Sequence, residues 1–148
     1  MKKTKTSALV TLWINRAVAA LIGVLLFTMP ALLDWYARFR ELGEQGERVV
    51  TIAFYCCAVV IGFALWFMDA LLRSILKGEV FVRTNVRRIQ WIRLCCGIVS
   101  IICLPAAFFY PPLIFLVIIM AFLCLVVTVV ANVMDAAVTI REENDLTV

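Results

Sequence analysis

The feature that most restricts this chain is a run of forty-one residues, Leu94 to Met134, without one charged side chain. As a single helix the run would extend about 62 Å, twice the bilayer's hydrocarbon thickness of about 30 Å. It must therefore fold back on itself. The break is predicted at residues 110–112 (YPP), because consecutive prolines remove two amide donors and force the preceding residues out of the helical region. We expect two membrane helices joined by a tight hairpin.

Two more apolar segments precede this hairpin. Residues 7–34 contain few polar side chains and end at the pair Trp35 and Tyr36, which is typical of a headgroup boundary. Residues 49–68 carry no charge, and the second helix continues to Leu76, with Gly78 expected to end it. Apolar residues make up 65% of the chain, against about 45–50% in soluble domains. The prediction is an all-α integral membrane protein, a single-domain four-helix transmembrane bundle with helices at about 7–34, 49–76, 85–110 and 113–140.

A secretory signal peptide is the alternative for the first segment, because Lys2, Lys3 and Lys5 resemble the basic start of one. The apolar region of a signal peptide spans about 7–15 residues and ends at a cleavage site formed by small residues. The apolar segment here is longer, and residues 29–33 (MPALL) offer no convincing site. We interpret the segment as a retained helix.

Small residues recur four apart in the first two helices, Ala19 with Gly23 and Ala58 with Gly62. Such pairs allow two helix backbones to approach closely in a membrane. We therefore expect helices one and two to pack tightly at these positions.

Lysine and arginine are distributed unevenly between the two sides of the predicted bundle. Eleven lie in the N-terminal segment, in the loop region 73–93 or at Arg141, and three lie on the other side, at Arg38, Arg40 and Arg48. Basic residues concentrate on the cytoplasmic side of membrane proteins. The sequence thus predicts a multi-pass protein of the bacterial inner (cytoplasmic) membrane, with both termini in the cytoplasm.

Four charged residues lie near the predicted cytoplasmic ends of three helices: Arg16, Asp69, Arg73 and Asp135. Asp69 and Arg73 are four apart and share a helix face, and Arg16 can pair with either Asp69 or Asp135. Three interpretations stay open. The side chains extend separately to the headgroups, they form an inner charge cluster that joins the helices, or they line an ion or substrate path.

The six cysteines are the most evident chemical candidates: Cys56, Cys57, Cys95, Cys96, Cys103 and Cys124. A membrane thiol enzyme needs C-x-x-C spacing and an exposed reactive thiol, and this spacing is missing from the sequence. The pair at 56–57 is expected in the outer half of helix two and the pair at 95–96 near the inner end of helix three, so the two pairs should not meet. Because cysteine packs as a small apolar residue, we interpret all six as packing residues.

Other chemistry has little support in the sequence. No phosphate-binding loop, nucleophile elbow or zinc spacing occurs, and the chain contains no histidine. A small multidrug exporter needs a carboxylate deep in helix one, and residues 7–33 contain none. We expect a non-enzymatic protein without a cofactor or metal. The net charge of +4 reflects membrane orientation and not direct nucleic acid binding.

The loop region 71–89 alternates basic and apolar side chains. It can serve only as an anchor that contacts anionic lipids, or it can form an interaction surface on which the acidic C-terminal tail docks or competes with an acidic partner. Thr84 or Asn85 is expected to cap helix three. The members of this interaction surface would be Phe81, Arg83, Asn85, Arg87, Arg88, Glu142, Glu143 and Asp145.

Three short motifs, GEVF at 78–81, NVRRI at 85–89 and ENDLTV at 143–148, carry a resemblance over essentially the whole chain. The sequence resembles a family of small bacterial four-helix membrane proteins that is defined as a domain of unknown function. Members are often encoded beside a very small Cro-like helix-turn-helix regulator. The resemblance implies a membrane protein that controls such a regulator, and it supplies no catalytic residues.

Three functional hypotheses follow. The first is a non-enzymatic membrane protein, embedded in the lipid bilayer, that binds a cytoplasmic partner such as a small transcription regulator. The second is a small transporter or channel subunit that acts as a homo-oligomer. The third is a membrane-embedded thiol enzyme, which an accessible cysteine of low pKa would favour.

The charge asymmetry predicts the topology directly. With all six native cysteines replaced by Ala or Ser, which packing residues should tolerate, a cysteine placed near Gly46 should react with a membrane-impermeant thiol reagent added outside intact cells. A cysteine near Arg83 should react only after the cells are opened. Labelling near Arg83 from outside would contradict the predicted orientation.

Overall fold

The computed structural model describes the backbone of residues 2–40 and 44–146, and the side chains of residues 6–29, 31 and 45–144. Within these ranges the fold is four helices and no strand: α1 (Lys2–Arg40), α2 (Glu44–Leu76), α3 (Arg83–Phe109) and α4 (Leu113–Leu146). All four helices are long and apolar enough to cross a membrane. The predicted all-α four-helix architecture is confirmed. The side chain of Asp145 lies outside the described residues, as do residues 147–148.

The hairpin between α3 and α4 forms at the predicted prolines. The α3 helix ends at Phe109, and the Tyr110 amide still donates to the carbonyl of Ala106 at 2.9 Å. The Leu113 amide then donates to the Tyr110 carbonyl at 3.0 Å, which starts α4. Because Pro111 and Pro112 have no amide hydrogen to satisfy, the turn leaves few backbone donors unbonded in an apolar region.

The α2–α3 loop, residues 77–82, is held by backbone geometry. Gly78 adopts a positive φ of 88°, a conformation that side chains with a Cβ atom disfavour. Its amide bonds to the Ile75 carbonyl at 3.0 Å and the Glu79 amide bonds to the Ser74 carbonyl at 3.1 Å. This pair of bonds is the glycine-terminated C-cap known as the Schellman motif, so Gly78 ends α2 as the sequence predicts.

The start of α3 differs from the expected cap. The N-cap position is Val82, with no side-chain cap bond, and not Thr84 or Asn85. Asn85 is fully buried, and its side-chain nitrogen Nδ2 donates to the backbone carbonyls of Glu79 and Val80 at 2.7 and 3.1 Å. The side chain therefore satisfies the loop backbone, which would otherwise be left with unbonded carbonyls beside the membrane.

Helix packing follows the order of the chain. In the described residues, close backbone approach joins α1 to α2, α2 to α3 and α3 to α4, and no other pair of helices. Two small buried clusters form around α3: Cys57 with Val99 and Cys103, and Leu71 with Ile89 and Ala131. Most large apolar side chains face outward instead, as Phe27 (90% exposed) and Phe108 (83% exposed) show. Exposed apolar faces of this extent suit hydrocarbon and indicate a multi-pass membrane protein.

The tight packing of α1 on α2 that was expected at the small residues is wrong, although the two helices do approach each other closely. A Cβ atom added to Gly23 or to Gly62 would meet no other atom within 4 Å. An open groove of about 490 Å³ separates the helices there, with Ala19 and Ala58 also in its lining. The small residues make space between the two helices where a close contact was expected.

One labelling position also needs adjustment. Gly46 is buried, and a Cβ atom there would lie 3.3 Å from Cδ1 of Phe109. Its neighbour Gln45 is exposed, so a cysteine at Gln45 reports the same side of the bundle without disturbing packing.

The turn at Gly78 makes a specific stability prediction. Gly78→Ala should lower the free energy of unfolding by about 1 kcal/mol, because alanine strains at this positive φ. Gly62→Ala is the matched control, since it has open space and lies inside a helix, where alanine is favoured over glycine. Thermal unfolding in detergent measures both variants. Equal effects would show that the φ at Gly78 does not limit stability.

Candidate functional site

Charged residues gather at the loop end, by which we mean the end of the bundle that carries the α2–α3 loop. Asp69, with a side chain only 13% exposed, accepts from Nε of Arg16 at 3.3 Å and pairs with Arg73 one turn further along α2. Two cations from two helices thus share one nearly buried carboxylate. The sequence predicted this pairing as one of two alternatives for Arg16.

Asn15 strengthens the same contact, a role that the sequence reading missed. Its side-chain nitrogen donates to the carbonyl of Leu65 at 3.1 Å, and the residue is only 9% exposed. The sequence does carry a signal for this role, because Asn15 precedes Arg16 within an otherwise apolar segment. Polar side chains in such segments often join helices in membranes. Asn15 and Arg16 together attach α1 to α2 at the loop end.

Asp135 does not belong to the Asp69 cluster, which corrects the four-residue inner cluster expected from the sequence. It pairs instead with Arg83 on α3, Nη1 to Oδ1, at 2.9 Å. The reason is packing order, because α4 approaches α3 and has no close backbone approach to α1 in the described chain. The charges therefore form two separate groups. Arg16, Asp69 and Arg73 make up one group, and Asp135 and Arg83 belong to the other.

Arg83 also contacts the acidic C-terminal segment. Its Nη2 lies 2.9 Å from Oε2 of Glu142, its Nε lies 3.3 Å from both carboxylate oxygens, and Nη2 approaches the Thr139 hydroxyl at 3.4 Å. The segment is not a loose tail, since α4 continues as a helix to Leu146 and not only to about residue 140. Arg83 thereby joins the start of α3 to the last turns of α4.

Two members of the predicted interaction surface are built into the loop instead. Asn85 is fully buried, and Arg88 directs Nη1 to the Ala70 carbonyl at 3.0 Å and to Oδ1 of Asn85 at 3.1 Å. These contacts correct the expectation that both face a partner. Phe81 (43% exposed) and Arg87 remain on the surface, as do Arg83, Glu142 and Glu143.

The loop motifs thus encode local architecture. In GEVF and NVRRI, Gly78 supplies the positive φ, Asn85 binds the loop carbonyls, and Arg88 fixes α3 against α2. Motifs that suggested an interaction surface are largely required to close the α2–α3 connection.

Two cavities that share the lining residues Trp66, Asp69 and Arg73 adjoin the Asp69 cluster. A polar pocket of about 300 Å³, the basic pocket, is lined by Trp66, Asp69, Ala70, Arg73, Ser74, Lys77, Glu79 and Arg88. The α1–α2 groove of about 490 Å³ begins at the same Trp66, Asp69 and Arg73 and continues between apolar and small side chains toward Leu26 and Ala58. A third, wholly apolar cavity of about 330 Å³ lies nearer the hairpin end and shares Ile22 and Ala58 with the groove.

The cysteines are placed mainly as packing residues. Cys57, Cys95 and Cys103 are buried, Cys96 and Cys124 are partly buried, and Cys56 is exposed. The sequence missed one proximity, because the thiols of Cys57 and Cys103 lie 3.5 Å apart across the α2–α3 contact. Across the described residues, no group of three metal-ligating side chains occurs.

The two charge contacts should differ in strength. A double-mutant cycle of Arg16→Gln and Asp69→Asn should give a coupling of about 1–3 kcal/mol, because Asp69 is nearly buried and directly paired. The Arg83→Gln and Glu142→Gln cycle is the matched control and should give a smaller coupling, since both side chains are about half exposed. Unfolding in detergent measures both cycles. Additive losses for Arg16 and Asp69 would mean that the two act independently.

Comparison with known proteins places the chain in a family. No curated protein and no solved structure matches it. The family model described as "Protein of unknown function (DUF2975)" matches residues 17–148, which begins directly after Arg16 and includes all four helices in part or in full. The chain belongs to the DUF2975 family of proteins of unknown function.

Proposed function

We propose that this chain is a non-enzymatic multi-pass protein of the bacterial inner membrane that binds a cytoplasmic protein partner at its loop end. The partner class that fits the proposal is a small helix-turn-helix transcription regulator. The observation that carries the proposal is an exposed apolar stretch of α1 that extends beyond the charges of the loop end.

We place the membrane boundary at the charge band, which we define as Arg16, Asp69, Arg73, Arg83, Arg88 and Asp135. A hydrocarbon core of about 30 Å takes about 20 helical residues. Close to the charge band, such spans are 17–36 in α1, 49–68 in α2, 90–109 in α3 and 113–132 in α4, with Asp34 and Trp35 at the outer boundary of α1. Arg93 lies one turn inside the proposed membrane span of α3 and can extend its long side chain to the boundary.

Aromatic residues support the same boundary. Trp66 and Trp91 lie directly beside the charge band, and the Trp91 ring stacks on Phe67 at 5.9 Å. Tyr36 and Tyr110 end the proposed spans of α1 and α3 on the other side. Tryptophan and tyrosine concentrate at both edges of a bilayer.

Parts of two helices then lie outside the hydrocarbon. In α1 these are residues 2–15, about 21 Å of helix, and in α4 residues 136–146, about 16 Å. Their backbones are already bonded within the helices, so both can stand in water. The distribution of lysine and arginine supports a cytoplasmic position for this end.

The part of α1 beyond the charge band is unusually apolar for such a position. Ala8 and Leu12 are buried, while Leu9, Val10, Trp13 and Ile14 are 46%, 53%, 67% and 57% exposed. Contiguous apolar side chains in water indicate an interaction site. A protein partner that covers them would gain apolar burial, and the charged residues Arg87 and Glu142, which lie at the same end of the bundle on α3 and α4, would add specificity.

The resemblance described above suggests the partner class. By binding such a regulator, the membrane protein would hold it at the membrane and away from its DNA. This control requires no chemical reaction. The binding surface would combine the apolar residues of α1 with the charged ends of α3 and α4.

Co-purification tests this proposal. The tagged chain, extracted from its native membranes in mild detergent, should retain a small helix-turn-helix protein. Trp13→Ala combined with Leu9→Ala should reduce retention strongly, because both side chains belong to the exposed stretch. Phe27→Ala is the matched control, since Phe27 is an exposed aromatic of the same helix within the proposed membrane span. Loss with Phe27→Ala alone, or full retention with the double variant, would contradict the proposal.

A second candidate function is a small transporter or channel subunit that acts as an oligomer. The observation that favours it is the open groove beside Asp69, which leads from the charge band into the bundle. Ion or substrate flux through vesicles that contain the purified protein, lost in Asp69→Asn, would support this candidate over partner binding.

A further inference from the structure

We propose that the basic pocket and the α1–α2 groove together bind one anionic phospholipid from the leaflet at the loop end. The phosphate would occupy the basic pocket and one acyl chain would lie in the groove. This inference needs the membrane character of the chain and the position of the charge band at the membrane boundary, and it does not depend on the cytoplasmic partner.

The charges of the basic pocket favour an anion. Three cations line it, Arg73, Lys77 and Arg88, against the carboxylates of Asp69 and Glu79, and Arg16 stands at the mouth of the adjoining groove. Asp69 is already paired with both Arg16 and Arg73, so its charge is neutralised within the cluster. The excess positive charge is therefore available to a phosphate, and Lys77 is exposed at the pocket rim.

The groove has the length and lining that an acyl chain requires. Its walls include Ala19, Gly23, Ala58 and Gly62, and both glycines border open space. Ala58 lies eleven residues before Asp69 on α2, a distance of about 16 Å along the helix. This distance matches one leaflet, which is half of a hydrocarbon core of about 30 Å.

The residues that the two cavities share lie at the level where a phospholipid changes from polar to apolar. Trp66, Asp69 and Arg73 line both of them. The Trp66 side chain is 65% exposed, and tryptophan rings favour the headgroup level. If a transmembrane helix of another protein covered both cavities, its apolar side chains would fit the groove but would leave the cations of the basic pocket unpaired. An anionic amphiphile complements both parts.

Native mass spectrometry of the purified full chain tests the inference, with phosphatidylglycerol and phosphatidylcholine as probes. The protein should retain one phosphatidylglycerol in preference to phosphatidylcholine. Lys77→Gln should weaken this preference about fivefold, as expected for one basic contact near a membrane surface. Arg87→Gln is the matched control, because Arg87 is an exposed arginine at the same end that does not line the pocket. An equal effect of both variants would mean unspecific charge attraction and would overturn the inference.

Filling the groove tests the acyl chain separately. Gly62→Leu and, on the opposite wall, Gly23→Leu should each reduce retention of both lipids, and a monodisperse elution profile shows that the variant is folded. Retention unchanged in a folded variant would overturn the inference. Inorganic phosphate should not displace the lipid, whereas full displacement would identify free phosphate as the ligand. A dimer that excludes lipid would identify a second copy as the occupant.

Discussion

Hydrocarbon accepts neither an unpaired charge nor an unbonded peptide group without a cost of several kcal/mol, and the architecture of this chain follows from that constraint. Each helix combines a long uncharged span with charges near its loop end. Where a charge is almost buried, as at Asp69, two cations from neighbouring turns and helices surround it. Where the backbone leaves a helix, as at 77–82, a glycine C-cap and the buried Asn85 satisfy its polar groups.

The same constraint explains why the interfaces differ in character. Helices α3 and α4 are joined along their length, with the Ser100 hydroxyl bonded to the Val117 carbonyl at 3.2 Å and Gly97 against Cys124. Asn15 and Arg16 of α1 make their polar contacts with α2 at the loop end. Apolar contact between helices gains little where lipid is equally apolar. A groove can therefore remain between α1 and α2, and an acyl chain can fill it at little cost.

The helices and the hairpin were predictable because their causes are local. An uncharged run too long for one crossing, two prolines in sequence and a glycine after α2 each specify one feature. The partners of charged side chains were not predictable, since they depend on which helix faces meet. In spans that are apolar on all sides, periodicity does not identify the buried face. Asp135 therefore found Arg83 and not Arg16, and Arg88 turned inward to the Ala70 carbonyl.

The position of the charge band at the membrane boundary is the claim on which both the partner surface and the lipid site depend. Nitroxide labels at Trp13, Val18 and Val24, all exposed on α1, can report it in a cysteine-free protein in lipid bilayers. The ratio of each label's accessibility to oxygen and to a water-soluble paramagnetic reagent gives the depth of that label in the bilayer. If the charge band marks the boundary, the label at Val24 is the deepest and the label at Trp13 lies outside the hydrocarbon. A depth maximum at Val18, with Trp13 also inside, would contradict this position.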